Sequence, residues 1–395
     1  MEVQVRSGDT LWSYSNTFNV PLPLIIHSNP TINPSSLSIG QTIQIPGYQL
    51  QSYNIKAGDS LYKLASTQRS SIDSLLLVNP NTNPRALQIG QSIQIPSRVT
   101  STIINPRQNY DSQVLAADLE NLADLYPFMR MRTIGKSVMG KDLIEIQIGR
   151  GEKVVHWNGA FHAQEWITSA VIMEFVNNYL LALTNNEAIR GHMMYPFYDQ
   201  ITLSIVPMVD PDGVDLGLHG PPEGEFGEEA LRINGGNRDF RGWKANIRGV
   251  DLNNQYPANW EIEAERKPKQ PAPRDFPGYA PLTEPESIAM AELAAQLNFE
   301  KLLAFHTQGE VIYWGYKNLE PAGSRRIINE FSRVSGYDPI RYVYSFAGYK
   351  DWFIQDFRKP GFTVELGQGI NPLPITQFDE IYQKTLGIFL ASMYM

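Results

Sequence analysis

His162-Ala163-Gln164-Glu165 stands where an apolar, strand-like run containing Val154, Val155 and Trp157 ends and a helix-like run from Trp166 to Leu183 begins. An imidazole and a carboxylate three residues apart share a face of the first turn of a helix, so the two side chains can converge on one point. Such a pair supplies two ligands of a zinc site. A catalytic zinc takes three protein ligands and leaves its fourth position to water, and in a chain without cysteine the third must be His, Asp or Glu. Of the six histidines, His306 is the leading candidate, because it closes the apolar run Leu302-Leu303-Ala304-Phe305, as a functional residue at the end of a strand does.

Four motifs then follow one another along the chain: Gly159-Ala160-Phe161-His162-Ala163-Gln164-Glu165, Gly249-Val250-Asp251-Leu252-Asn253, Phe305-His306-Thr307 and Phe362-Thr363-Val364-Glu365-Leu366. In this order they resemble the zinc carboxypeptidases (the M14 metallopeptidases), from about residue 110 to the C-terminus. The resemblance implies one zinc ion held by His162, Glu165 and His306. It makes Glu365 the catalytic glutamate, which takes a proton from the metal-bound water and passes it to the leaving amine. It also implies a cation for the developing oxyanion nine residues before the Asn of Asp-x-Asn, where many relatives have arginine. That position is Lys244 here, with Arg248 the nearby alternative; lysine supplies the charge without the bidentate fork.

One departure from the family pattern bears on specificity. Relatives read a free C-terminal carboxylate with an Asn-Arg pair, whereas this chain has Asn253-Asn254. A neutral amide in place of a guanidinium removes the charge-assisted contact best suited to a carboxylate, so strict C-terminal exopeptidase action is not expected. The stretch Tyr344-Ser345-Phe346-Ala347-Gly348-Tyr349-Lys350-Asp351-Trp352 resembles the loop carrying the family's mobile substrate-binding tyrosine, assigned to Tyr344 with Tyr349 as competitor. Lys350 aligns with the floor of the specificity pocket, where a cation favours an acidic group on the residue after the scissile bond.

The N-terminal part is a repeat. Val5-Arg6-Ser7-Gly8-Asp9-Thr10-Leu11-Trp12 returns as Ile55-Lys56-Ala57-Gly58-Asp59-Ser60-Leu61-Tyr62, and Asn29-Pro30, Ile39-Gly40-Gln41 and Ile45-Pro46 also recur, always 50 residues later. Each copy reads as strand, Gly-Asp turn, two short helices and a closing strand. This βααβ pattern resembles LysM, which implies binding to N-acetylglucosamine-containing glycans such as peptidoglycan. The expected organisation is LysM module 1 at 1–48, module 2 at 51–98, a linker at 99–109 and a peptidase domain at 110–395.

Beyond the linker the pattern predicts helices at Ser112–Leu125, Glu284–Leu297, Glu320–Ser335 and Gln377–Met393. Strands are predicted at Arg130–Ser137, Asp142–Ile148, Lys153–Gly159 and Ile201–Val209, and leading into His306 and Glu365. From Asp210 to Thr283 no period is sustained, so a long functional loop is expected there. The fold class is therefore α/β: a zinc-carboxypeptidase-like mixed sheet flanked by helices, preceded by two small βααβ LysM modules.

A formal charge of −8 argues against nucleic-acid partners, which need a basic surface. No basic-then-apolar leader is visible at Met1-Glu2-Val3-Gln4-Val5-Arg6, and no stretch reads as apolar for long enough to span a membrane. The expectation is cytoplasmic synthesis followed by association with spore or cell wall.

Two glycan-binding modules in front of such a peptidase point to peptidoglycan as partner. The predicted activity is zinc-dependent cleavage of the bond between γ-D-glutamate and a diamino acid, with meso-diaminopimelate favoured by the extra carboxylate that Lys350 can meet. The runner-up is a zinc metallocarboxypeptidase trimming ordinary peptides. A non-catalytic wall-binding protein is disfavoured by the joint presence of His162, Glu165, His306 and Glu365.

Overall fold

In a computed structural model, which describes residues 1–68 and 70–395, the chain divides into two compact units. The first comprises Met1–Ile104, Asp118–Arg130 and Asn177–Pro196; the second comprises Asn105–Ala117, Met131–Val176 and Phe197–Met395.

In the first unit each repeat forms a small two-stranded antiparallel sheet against two short helices. Copy one pairs Glu2–Gln4 with Thr42–Gln44 around helices Leu11–Phe18 and Leu22–His27. Copy two pairs Tyr48–Asn54 with Ser92–Arg98 around Leu61–Thr67 and Ile72–Val78. The repeat is physical as well as textual. Thr10 and Ser60 cap the first helix of each copy by accepting from the Ser13 and Lys63 amides, and Gly8 and Gly58 both take positive φ at the Gly-Asp turn. Asn29 spans its module, donating to Ile25 O at 2.8 Å and Gln44 O at 2.9 Å while accepting from the Gln44 amide at 2.8 Å. Asn79 repeats all three bonds with Leu75 and Gln94.

The second unit is built on an eight-stranded sheet. Its strands, numbered along the chain, are β1 (Arg130–Lys136), β2 (Asp142–Gly149), β3 (Lys153–Asn158), β4 (Ile201–Val206), β5 (Lys301–Thr307), β6 (Val311–Tyr313), β7 (Asp338–Ile340) and β8 (Gly361–Leu366). The order across the sheet is β7-β6-β8-β5-β3-β4-β2-β1. The four central strands β8, β5, β3 and β4 run parallel, whereas β6 and β2 run antiparallel to their inner neighbours. Strands β4 and β5 are buried along their whole length, so neither carries the regular outward-facing charges of a half-exposed strand. Helices cover both faces. Trp157 and Phe305 pack against Phe389 of helix Phe378–Tyr394, with ring centroids 4.8 and 5.0 Å away, while the neighbouring His156 stacks on Phe299 across the sheet.

Several elements differ from the sequence expectation. The segment 210–283 holds helices Pro211–His219, Glu225–Ile233 and Trp260–Arg266, too short for a period to show against their Gly and Pro neighbours. The first of these is started by Asp210, which accepts from the Gly213 amide, and by Pro211 at its first position. Helix Tyr349–Phe357 replaces part of an expected loop, and the short strands β6 and β7 lie below the length at which alternation is legible. The helix expected from Glu320 begins at Ser324, because Glu320 is occupied in accepting from the Tyr316 amide and pairing with Arg341. Tyr48, expected to end the first module, and residues 49–50, expected between the modules, belong to the first strand of copy two. The segment Ala163–Asn185 is long and apolar enough to cross a membrane by length and composition, contrary to expectation, but 89% of its apolar 18-residue window is buried inside the protein.

Asn29→Ala or Asn79→Ala removes three hydrogen bonds and strands the backbone groups they served. Each substitution should lower unfolding stability by roughly 2–4 kcal/mol in denaturant titration. A loss below about 0.5 kcal/mol would show that water replaces the side chain without penalty.

Candidate metal centre and cleft

The carboxyl ends of the central parallel strands carry the site, as in other open α/β sheets. Strand β3 ends at Asn158 and delivers His162 and Glu165 on the following turn; β5 places His306 in its last residues, and β8 places Glu365 directly opposite His306 in the strand register. The turn after β3 is held by Thr168, whose hydroxyl accepts from the Ala160 amide at 2.7 Å and donates to Glu165 O at 2.8 Å. Ala160 sits at φ 45°, a left-handed conformation that a non-glycine residue adopts only under such restraint. Glu165 closes a single 3₁₀ turn started by His162, so both side chains face the same way.

The three candidate ligands meet. Glu165 brings one carboxylate oxygen within 2.9 Å of His162 Nδ1 and the other within 2.9 Å of His306 Nδ1. The two Nδ1 atoms lie 3.2 Å apart, and all three side chains are buried. Nitrogen and oxygen ligands bound at 2.0–2.1 Å around a tetrahedral ion are separated by about 3.3 Å. The donor set thus has the spacing and chemistry of a metal centre, and two nitrogens so close repel through their lone pairs when neither a proton nor a cation lies between them.

Behind the ligands is a chain of charges. His162 Nε2 lies 3.2 Å from Asp251 Oδ1, and Lys244 Nζ donates to Asp251 Oδ2 at 2.7 Å and Asp275 Oδ1 at 2.9 Å. Asp251 also accepts from the Asn253 amide, so the Asp-x-Asn motif is a cap that aims a carboxylate at the candidate ligand His162. Burial works against charge on both His162 and Glu165, yet their mutual attraction prevails. In the metal-free arrangement, Glu165 and Asp251 raise His162 to about 9, and the two imidazoles lower Glu165 to about 2. Burial keeps His306 below its usual value and hence neutral. Glu365 is pushed up to about 8 by burial and then by the charge of Glu165, both of which a bound dication opposes.

A sequence profile of zinc carboxypeptidases matches residues 115–387, and one of LysM domains matches 3–46 and 53–96. The chain belongs to the zinc carboxypeptidase family. Gamma-D-glutamyl-L-diamino acid endopeptidase 1 of Lysinibacillus sphaericus is 59% identical over 396 residues, covering the whole of both chains. The uncharacterized protein YqgT of Bacillus subtilis is 45% identical over 303 residues, or 75% of this chain and 80% of the relative. Bovine thrombin-activatable fibrinolysis inhibitor, solved with a tick carboxypeptidase inhibitor, has a TM-score of 0.59 at 16% identity and covers 73% of this chain and 97% of its own. That last likeness shows the fold alone.

In this member of the family the cleft beside the candidate ligands has a volume of about 240 Å³ and is lined by His162, Lys244, Asn253, Asn254, Lys350 and Glu365 among others. Arg248 is not brought into it; its guanidinium faces Glu284 at 3.5 Å, leaving Lys244 as the cation beside the ligands. The family's arginine position is filled by buried Asn254, which lines the cleft as a neutral amide. Asn253 uses its side-chain oxygen to accept from the Tyr349 amide. Tyr349 is wholly buried against Phe161 and Tyr256 and donates to Met290 O, so it does not move into substrate. Tyr344 is 72% exposed, lies under Arg266 at 4.3 Å, and lines a neighbouring cavity rather than the cleft itself. Lys350 reaches the cleft already paired with Asp351 at 2.6 Å. Sequence reasoning gave no role to Asp251, Asp275, Thr168, Asp351 or the cleft-lining Lys267; only Asp251 carried a signal, its place in the motif.

Two outcomes follow from this geometry. Thr168→Val orphans a buried amide and a buried carbonyl, and should cost at least about 2 kcal/mol in denaturant unfolding while weakening metal retention against a chelator; unchanged retention would detach the turn from the ligands. Metal uptake must also displace the proton that His162 carries below about 9. Affinity should therefore fall at least about tenfold per pH unit as pH drops from about 8 to 6, measured by competition with a chromophoric chelator after correction for the chelator's own protonation. A pH-independent affinity would contradict this reading of His162.

Proposed function

We propose that the chain is a zinc peptidase of the bacterial wall that hydrolyses the γ-D-glutamyl–diamino acid bond of peptidoglycan stem peptides, its LysM modules holding the glycan. The carrying observation is the whole-length similarity to the Lysinibacillus sphaericus endopeptidase, modules included, on a chain whose ligand cluster faces Glu365.

His162, Glu165 and His306 hold one Zn²⁺, and the ion when bound supplies Lewis acidity and a water of pKa near 7. The remaining work belongs to the protein. Asp251 fixes the ring of His162 through its other nitrogen. Glu365, half-buried at the end of β8, receives the proton of the attacking water and returns it to the departing amine. Lys244 keeps its charge, because Asp251 and Asp275 outweigh burial, and turns that charge to the oxygen of the tetrahedral intermediate.

A neutral Asn254 lets a peptide continue past the diamino acid without forfeiting a salt bridge, which favours internal cleavage over removal of a terminal residue. The place of action is then the cell wall or spore cortex, where the polymer is.

Mass spectrometry of purified muropeptides, with and without chelator, tests the assignment. New fragments ending in γ-D-glutamate that vanish with chelator are expected; loss of a terminal residue alone would make the enzyme a carboxypeptidase. Glu365→Gln should lower kcat by about 10²–10⁴-fold while the protein retains its metal. Retained turnover would remove Glu365 from the proton path.

A further inference from the structure

Three lysines line the cleft, Lys244, Lys267 and Lys350. Two of them have committed their ammonium protons. Lys244 donates to Asp251 and Asp275 at 2.7 and 2.9 Å, and Lys350 donates to Gly315 O at 3.0 Å and pairs with Asp351 at 2.6 Å. Lys267, the C-cap of helix Trp260–Arg266, is different. Its Nζ lies 3.6 Å from Glu263 Oε1 and 3.6 Å from Asp275 Oδ1, attracted by both and hydrogen-bonded to neither. Each of those carboxylates already has a nearer cation. Glu263 is held by Arg266 and accepts from the Phe346 amide at 3.1 Å, while Asp275 accepts from Lys244 at 2.9 Å and from Arg274 at 3.2 Å. Lys267 therefore brings a positive charge that its neighbours do not cancel, with ammonium protons left to donate into the cleft.

Its place there follows from Asp275. One oxygen of that carboxylate, Oδ1, faces both Lys244 and Lys267, and the chain just before it is tied down by the Lys244 and Ala245 amides, which donate to Pro273 O at 2.9 and 3.1 Å. The two ammoniums thus sit around a single atom, and a group drawn to Lys267 lies beside whatever Lys244 holds. Resting on the peptidase reading above, Lys244 holds the oxygen of the carbonyl under attack, and that carbonyl belongs to the glutamyl residue. A γ-linkage puts the scissile carbonyl on the side chain and leaves the α-carboxylate of the same residue free. We propose that Lys267 binds this α-carboxylate and makes its charge a requirement on the acyl side of the bond. Amidation leaves Lys267 facing a neutral group, so the enzyme prefers stems carrying free D-glutamate to stems carrying D-isoglutamine.

The test compares L-Ala-γ-D-Glu-meso-diaminopimelate with the same peptide amidated at the glutamate α-carboxylate. For the full-length zinc-loaded protein, kcat/KM should favour the free acid by about tenfold or more. Lys267→Gln should bring that ratio close to one, and Lys267→Arg should keep most of it. A purely structural role, exerted through Asp275 or Glu263, would lower both peptides alike and leave the ratio unmoved. A second measurement needs no variant: the dipeptide L-Ala-γ-D-Glu should shield Lys267 of the wild-type protein from an amine-specific reagent, mapped by mass spectrometry, where its α-amide does not. Equal rates on the two peptides, a ratio unchanged by Lys267→Gln, or equal labelling with either dipeptide would overturn the proposal. Failure of the wild-type protein to cleave either peptide would instead overturn the peptidase reading.

Discussion

Two imidazole nitrogens held 3.2 Å apart in a buried site, with a carboxylate spanning both, set the terms for everything around them. Such a cluster is stable only if a cation or a shared proton sits within it, and the surroundings are arranged accordingly. Asp251 balances His162, Lys244 balances Asp251, and Asp275 balances Lys244, so charge alternates outward from the ligands through hydrogen bonds of 2.7–3.2 Å. In a low dielectric each link strengthens the next, and removal of one leaves its neighbour as an unpaired buried charge.

The sheet converts that requirement into geometry. His306 and Glu365 face each other across paired parallel strands, and His162 with Glu165 leaves the adjacent strand β3 through a turn pinned by Thr168. Fully buried central strands fix the register, since a one-residue slip would send every side chain to the opposite face. The distance between Glu365 and the ligands is thus a property of the core, and the loops need only shape what enters.

The parts of this arrangement legible in the sequence were those carried by local pattern. His162-Ala163-Gln164-Glu165 between an apolar strand and an apolar helix, His306 and Glu365 at the ends of apolar runs, and the 50-residue repeat all survive as single contiguous signals. What stayed hidden depended on long-range partners. Arg248 and Lys244 look equivalent in a loop, and only the fold turns one toward Glu284 and the other toward Asp251. Tyr344 and Tyr349 differ by full burial, which no local pattern reveals. Lys350 reads as a free cation until helix Tyr349–Phe357 places Asp351 beside it. The helices within 210–283 were lost because each is nine residues or fewer and set off by Gly or Pro.

The two LysM modules are linked along the chain by Ile45-Pro46-Gly47, and Arg6 of the first reaches Asp73 of the second at 2.8 Å. So short a joint fixes the spacing of the two modules. On the wall-binding role proposed above, a glycan strand long enough to occupy both dissociates only when both let go together, whereas a fragment shorter than the span is held by one module and escapes at that module's own rate. A protein acting in that way dwells on intact polymer and sheds its own debris, with strand length as the only signal required.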